Sequence, residues 1–249
     1  MRSDKISVLL VRNGFIYLWT ILVTLVLGIL VIICGYFSKN GDLPHRIARI
    51  WARSILWVSG VRVTVKGQAN LLPGRSTIYM ANHQSNYDIP VLMAALPVQF
   101  RWLAKEELFK IPIFGRGMRG CGYISIDRSN RKRAFASLKE AARKIREGVS
   151  VLIFPEGTRS TDGQIRTFKK GGFVLSVDAG VPIVPVVIYG TRSIMPKGRL
   201  LIQTRPVRMD ILEPIETSAF TRKTKDDLME KVRSIICSAY DRLEASENR

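Results

Sequence analysis

Asn82-His83-Gln84-Ser85-Asn86-Tyr87-Asp88 places one of the chain's two histidines five positions before an aspartate. Such a pair can act as a general base. An imidazole titrates near neutrality, with an unperturbed pKa of about 6.5, and a carboxylate on one ring nitrogen fixes the tautomer that leaves the other free to take a proton. On a straight helix five residues turn about 140°, so the two side chains share no helical face and can meet only across a turn. The flanks agree: an apolar run, Thr77-Ile78-Tyr79-Met80-Ala81, precedes the stretch, and Ile89-Pro90-Val91-Leu92-Met93 follows it. A simpler alternative stands beside this one. Asp88 could cap a helix starting at Ile89, with Pro90 in its first turn, and His83 could be an ordinary turn residue.

Other residues suited to chemistry also stand at the ends of apolar runs. Asp127-Arg128 closes Gly122-Tyr123-Ile124-Ser125-Ile126, and Pro155-Glu156-Gly157-Thr158-Arg159-Ser160 follows residues 149–154. A guanidinium is a planar fork that donates two hydrogen bonds to phosphate oxygens. Arg128 and Arg159 are therefore anion-binding candidates, with Lys105 as a third. Glu156 could orient Arg159 or another group of the site, and Gly157 permits a tight turn or a close backbone approach. Lys169-Lys170 reads as solvated surface charge.

Hydrophobic patterning predicts the elements that position these residues. Residues 15–37 carry no charge, enough to cross a hydrocarbon core of roughly 30 Å, with Trp19 and Tyr36 suited to its interfaces. No small-residue cleavage site follows, so the segment is expected to stay attached. Residues 43–59 set Ile47, Ile50, Trp51, Ile55 and Val58 on one helical face and Arg46, Arg49 and Arg53 on the other. That is a basic amphipathic helix able to lie in a lipid interface or to pack on a soluble domain. Basic residues flank the apolar segment on both sides, so charge gives no orientation. From Val61 onward, strands are expected at 61–65, 77–81, 100–104, 123–126, 149–154, 183–188 and 200–207. Helices are expected at 89–96, 130–147 (stopped by Gly148), around 172–178 and at 221–243, the last with Thr224 and Asp227 as a capping box. This alternation predicts an α/β fold: a largely parallel central sheet flanked by helices, preceded by an N-terminal two-helix membrane-associated hairpin. The expected division is residues 1–60 as anchor and 61–249 as catalytic domain. In such sheets, sites form beyond the carboxyl ends of the strands, where His83, Asp127-Arg128 and Pro155–Ser160 all fall.

The totals narrow the function classes. The chain has 249 residues, 47% of them hydrophobic, and a formal charge of +19. Such a field attracts nucleic acid, anionic membrane surfaces or phosphorylated substrates. No nucleic-acid module is recognisable and the basic residues are scattered, which leaves a membrane-anchored basic binding protein as a remote alternative. Cys34, Cys121 and Cys237 are widely spaced, with neither a disulfide framework nor a zinc pattern. They read as small buried apolar residues in a reducing compartment. A metal hydrolase is disfavoured because the second histidine, His45, lies beside the apolar segment.

Four blocks occur in order: Asn82-His83 through Asp88, Gly122 through Arg128, Phe154 through Ser160, and Val181-Pro182-Ile183-Val184-Pro185-Val186. In this they resemble the glycerolipid acyltransferase family, most of all its 1-acyl-sn-glycerol-3-phosphate acyltransferase branch. Ser125 departs from it, since the family often has a bulkier apolar residue there. The resemblance implies that His83 is the general base on the free hydroxyl of lysophosphatidic acid, oriented by Asp88. Arg159, Arg128 and Lys105 would hold the phosphate, while Glu156, Gly157 and Thr158 support the acceptor site. The resemblance associates the last block with the donor side or with core packing, and packing is expected because nothing in it is polar. No metal or bound cofactor is implied. The implied partners are lysophosphatidic acid, an acyl-coenzyme A or acyl carrier protein as donor, and membrane lipids, but no nucleic acid. The implied location is the inner cell membrane with the catalytic domain on its cytoplasmic face. Glycerol-3-phosphate or a lyso-aminolipid is the alternative acceptor.

Overall fold

The computed structural model describes residues 2–127 and 129–247, the side chains of 2–6 and 131 excepted. Helix α1 (Arg2–Phe37) turns through residues 38–41 into helix α2 (Asp42–Val58), and the two pack together as the expected hairpin. α1 starts well ahead of the uncharged window, and its portion Ser7–Phe37 is long and apolar enough to cross a membrane. α2 buries His45, Ile47, Ala52, Ile55 and Leu56. Ile50, expected on that face, is 55% exposed, because α2 wedges between α1 and the next helix rather than lying on one flat surface.

After β1 (Val63–Lys66) come β2 (Ile78–Ala81), α3 (Asp88–Ala95), β3 (Arg101–Lys105), α4 (Phe114–Gly120), β4 (Ile124–Ile126) and α5 (Arg131–Arg146). They are followed by β5 (Val151–Ile153), α6 (Gly171–Ala179), β6 (Ile183–Tyr189), α7 (Thr191–Ile194), β7 (Val207–Ile211) and α8 (Lys225–Glu247). The sheet order is β1-β7-β6-β2-β5-β3-β4. Strands β6, β2, β5, β3 and β4 run parallel, and β7, with β1 beside it, runs the other way.

Strand alternation divides the core between the two faces of the sheet. Tyr79, Ala81, Leu152, Trp102 and Val184 join α2 and α3 on one side. Ile78, Met80, Val151, Ile153 and Leu103 join α5, α6 and α8 on the other. β6, the apolar fourth block, is buried from Ile183 to Ile188.

Two expectations are corrected. Residues 200–206 are not a strand; β7 starts only at Val207. Pro206 has no N–H for a ladder and restricts Arg205 before it. The alternation that buries Val207, Met209 and Ile211 begins after it. Nor does Thr224 form a capping box: its Oγ1 accepts from the Thr221 amide at 2.9 Å, and Asp227 N donates to the Thr224 carbonyl.

The Gly-rich stretch before β4 holds α4, which seats on α1 through small residues. A Cβ placed on Gly35 would stand 2.7 Å from Gly120 Cα. Ile113, just before α4, has φ 62° and ψ −61°. Phe114 N donates to Pro112 O across it at 2.6 Å, a γ-turn that a β-branched residue adopts only under strain.

Candidate active site

β2 ends at Ala81, and the chain turns at once into the loop that carries His83. Asp88 is the first residue of α3, yet its carboxylate does not cap that helix; it reaches back into the loop. Oδ2 accepts from His83 Nδ1 at 2.7 Å, from Gln84 N at 2.7 Å and from Ser85 N at 2.8 Å. One oxygen thus shapes the loop and holds the imidazole with Nδ1 protonated, leaving Nε2 as the free acceptor. Asp88 is buried, and the His83 side chain keeps 14% exposure. The ring lies flat on Phe154, with centroids 3.8 Å apart and planes 7° apart. Rotation is therefore blocked from below while the Asp88 bond pins one edge.

β5 is the neighbour of β2, so the loop after β5 arrives beside His83. Glu156 there is 1% exposed. Its Oε1 accepts from His83 N at 2.7 Å and its Oε2 from Arg166 N at 2.9 Å. Glu156 thus ties the two loops together through backbone amides rather than orienting Arg159. Burial pushes its carboxyl up to about 7, against the pull of the two amides. Ser160 N returns a bond to His83 O at 2.9 Å. Gly157, with φ 73°, allows the reversal between Phe154 and Thr158.

A cavity of about 530 Å³ opens at His83 and runs between α1, α2, α3, β3 and α4. Its walls are mostly apolar, among them Leu27, Trp51, Met93, Trp102 and Phe114, and its mouth carries His83, Thr158, Arg159 and Lys105. That is the size and character of a site for a small molecule with an apolar tail. His83, Lys105, Gly157, Thr158 and Arg159 are thus brought together; Lys105 also pairs with Glu107 at 3.0 Å. Asp127 does not join them. It follows β4 at the sheet edge, and its Oδ1 accepts from Ser129 N and Oγ. Arg128 lies outside the described residues.

Cys121 alone of the cysteines is fully buried, while Cys34 and Cys237 are half-buried. Burial pushes the Cys121 thiol up to about 12, so it is a packing group.

Sequence reasoning missed two supports of the site. Phe154 was visible as the residue before Pro155-Glu156, but its stacking was not. Gln84 donates to Gly163 O at 2.8 Å and accepts from Tyr240 OH at 3.1 Å, tying the loop to α8. Nothing local marks a tyrosine so far along the chain for that duty.

A mostly parallel sheet with a His–Asp pair at the carboxyl ends of its parallel strands, beside an apolar cavity, suits general-base chemistry on a substrate with an apolar tail. The family model described as "Acyltransferase" matches residues 62–189, and the chain belongs to that family. It is similar to the 1-acyl-sn-glycerol-3-phosphate acyltransferase CHLREDRAFT_174358 of Chlamydomonas reinhardtii, 32% identical over 92% of this chain and 69% of that one. The corresponding alpha protein of Homo sapiens is 30% identical over 87% of this chain and 77% of its own length. The chloroplastic LPAT1 of Arabidopsis thaliana is 36% identical over 79% of this chain, which spans only 54% of that relative. The crystal structure of the 1-acyl-sn-glycerophosphate (LPA) acyltransferase PlsC from Thermotoga maritima matches with a TM-score of 0.83 at 28% identity over 98% of both chains. Within the family, the chain falls in the 1-acyl-sn-glycerol-3-phosphate acyltransferase branch.

Proposed function

We propose that this protein transfers an acyl group from an acyl thioester to the sn-2 hydroxyl of 1-acyl-sn-glycerol-3-phosphate, forming phosphatidic acid. The observation that carries this reading is the His83–Asp88 pair at the mouth of an apolar cavity that also presents Arg159 and Lys105. His83 Nε2 takes the hydroxyl proton as the oxygen attacks the thioester carbonyl. The resulting imidazolium is stabilised by Asp88. Collapse of the tetrahedral intermediate breaks the C–S bond, and the thiolate leaves with the proton held by His83. Arg159 and Lys105 bind the acceptor phosphate, and the cavity takes an acyl chain. Glu156, with Gly157 and Thr158, holds the turn that presents Arg159.

Residues 1–60 serve as the membrane anchor and 61–249 as the catalytic part. α1 exposes an apolar stripe that includes Val11, Phe15, Leu18, Leu22, Val26 and Ile33. Its other side is held to the body from Asn13, which accepts from Ile202 N at 2.6 Å, to Gly35 against Gly120. Those contacts extend over about 33 Å of helix, as long as the hydrocarbon core is thick. This supports a helix lying in one leaflet rather than crossing it, with the site beside the lipid. The catalytic part then faces the cytoplasm, on the inner cell membrane, where thioester donors occur.

The test is acyl transfer by purified protein in mixed micelles. Labelled acyl-coenzyme A and acyl carrier protein thioester serve as donors, and lysophosphatidic acid, glycerol-3-phosphate and a lyso-aminolipid as acceptors. Label should enter phosphatidic acid, and His83→Ala should lower turnover by about 100-fold or more. A folded His83→Ala protein with near-normal turnover would sink the mechanism, and label in another acceptor would reassign the substrate.

A further inference from the structure

Lys197 lies beyond the residues that the family model matches, in the segment that follows α7. Its Nζ is 3.4 Å from Thr158 Oγ1 and 3.3 Å from the Arg159 carbonyl oxygen. That segment is pinned to the His83 loop: Ser85 Oγ donates to Met195 O at 2.8 Å, and Ser85 and Pro196 form an antiparallel bridge. Lys197 is therefore fixed against the turn that presents Arg159 at the cavity mouth. Lys105, Lys170 and Arg222 have carboxylate partners in Glu107, Asp226 and Asp178. Among the described residues neither Lys197 nor Arg159 has one, and the Lys197 ammonium is anchored on the backbone carbonyl of Arg159 itself.

We propose that Lys197 is a further specificity-determining residue of the acceptor site, adding at the turn that carries Arg159 a positive charge for a phosphomonoester headgroup that Lys105, paired with Glu107, does not supply in full. The inference rests on the functional reading above. A phosphomonoester carries a charge of about −1.5 to −2 near neutrality and three terminal oxygens, whereas a phosphodiester carries one charge and two. An Arg fork and a Lys point charge from two separate segments suit the monoester.

The test measures acceptor and donor KM separately for wild type, Lys197→Ala, Lys197→Gln and Lys197→Arg, with lysophosphatidic acid as acceptor. Ala and Gln should each raise the acceptor KM by about tenfold or more. The donor KM should not move, kcat should stay within about twofold, and Arg should recover most of the loss. An unchanged acceptor KM in Lys197→Ala overturns the inference. So does a Gln variant that performs as well as Arg, since an uncharged donor to Thr158 and Arg159 would then suffice and Lys197 would only brace the turn. Wild type that fails to acylate lysophosphatidic acid overturns the functional reading, and this inference with it. Active wild type with indifferent Lys197 variants overturns this inference alone.

Discussion

Glu156 shows how one buried side chain can tie two loops together through their backbone amides. Its two oxygens accept from two backbone amides, His83 N and Arg166 N, so both must be acceptors. Glutamine offers one acceptor and one donor group. Glu156→Gln should therefore set an NH₂ against an amide N–H, costing about 1–3 kcal/mol and lowering turnover through a displaced His83; a melting curve and kcat from the same preparation check it. His45 governs a different property. It is buried, and burial followed by repulsion from Arg101 and Arg49 holds its pKa down to about 3. Between pH 3 and the ordinary value near 6.5 the native chain binds fewer protons than the unfolded one, so its contribution is complete above that value and is lost as pH falls. At pH 5 the loss is about 2 kcal/mol. Glu156, raised to about 7, has the opposite sign: its contribution is complete below about 4.5 and is lost as pH rises through 7. Because Gln can still bond the Tyr123 hydroxyl that His45 Nδ1 meets at 3.0 Å, His45→Gln should lose less stability than wild type between pH 7 and pH 5. Equal losses in parallel unfolding titrations would assign the acid sensitivity elsewhere.

At the scale of elements, the α1–α4 contact depends on the absence of side chains. Gly35→Ala would bring a Cβ to 2.7 Å from backbone at Gly120, where nothing flexible can yield. The helices must part, at about 1–3 kcal/mol, or roughly 2–12 °C of melting temperature for a chain of this size. Gly14→Ala is the matched control: apart from its own turn of helix, nothing lies within 4 Å of its added Cβ, and alanine is the better helix former by about 1 kcal/mol. Equal effects of the two substitutions in differential scanning calorimetry would mean that helix propensity, not the α4 contact, sets the response. The strained turn at Ile113 stands at the same junction. Because α1 and α4 also wall the cavity, this packing and the shape of the site are one problem.

Across the whole molecule, charge and apolar surface act in concert. A net charge of +19 has the sign that an anionic lipid surface attracts, and the outer stripe of α1 offers apolar area to a lipid interface. Leu18, Leu22 and Ile29 lie on that stripe, 66%, 51% and 50% exposed, and none lines the cavity. Replacing all three with Glu removes about 1.5 kcal/mol or more of burial apiece, so partition to anionic vesicles in a sedimentation assay should fall by at least about tenfold. Activity on micellar substrate should persist. Unchanged vesicle binding would move the docking surface to another face.

The sequence by itself determined most of the elements and the family, though not α4 or α7. The periodicities that mark strand and helix lie within a few neighbouring residues, and so does each motif block, so His83, Asp88 and the Glu156–Arg159 turn were all legible. Boundaries failed where a single residue overrides a pattern, as Pro206 does at β7. Tertiary structure alone decided which strand ends adjoin: β5 beside β2 brings Glu156 to the His83 amide, while β4 at the edge leaves Asp127 outside the site. It also set the reversed direction of β7, the course of the cavity along α1, and the ties from Tyr240 and Lys197. The last two ties join residues 156 and 38 positions apart. They depend on which surfaces meet once the chain has packed, a property that no local pattern encodes.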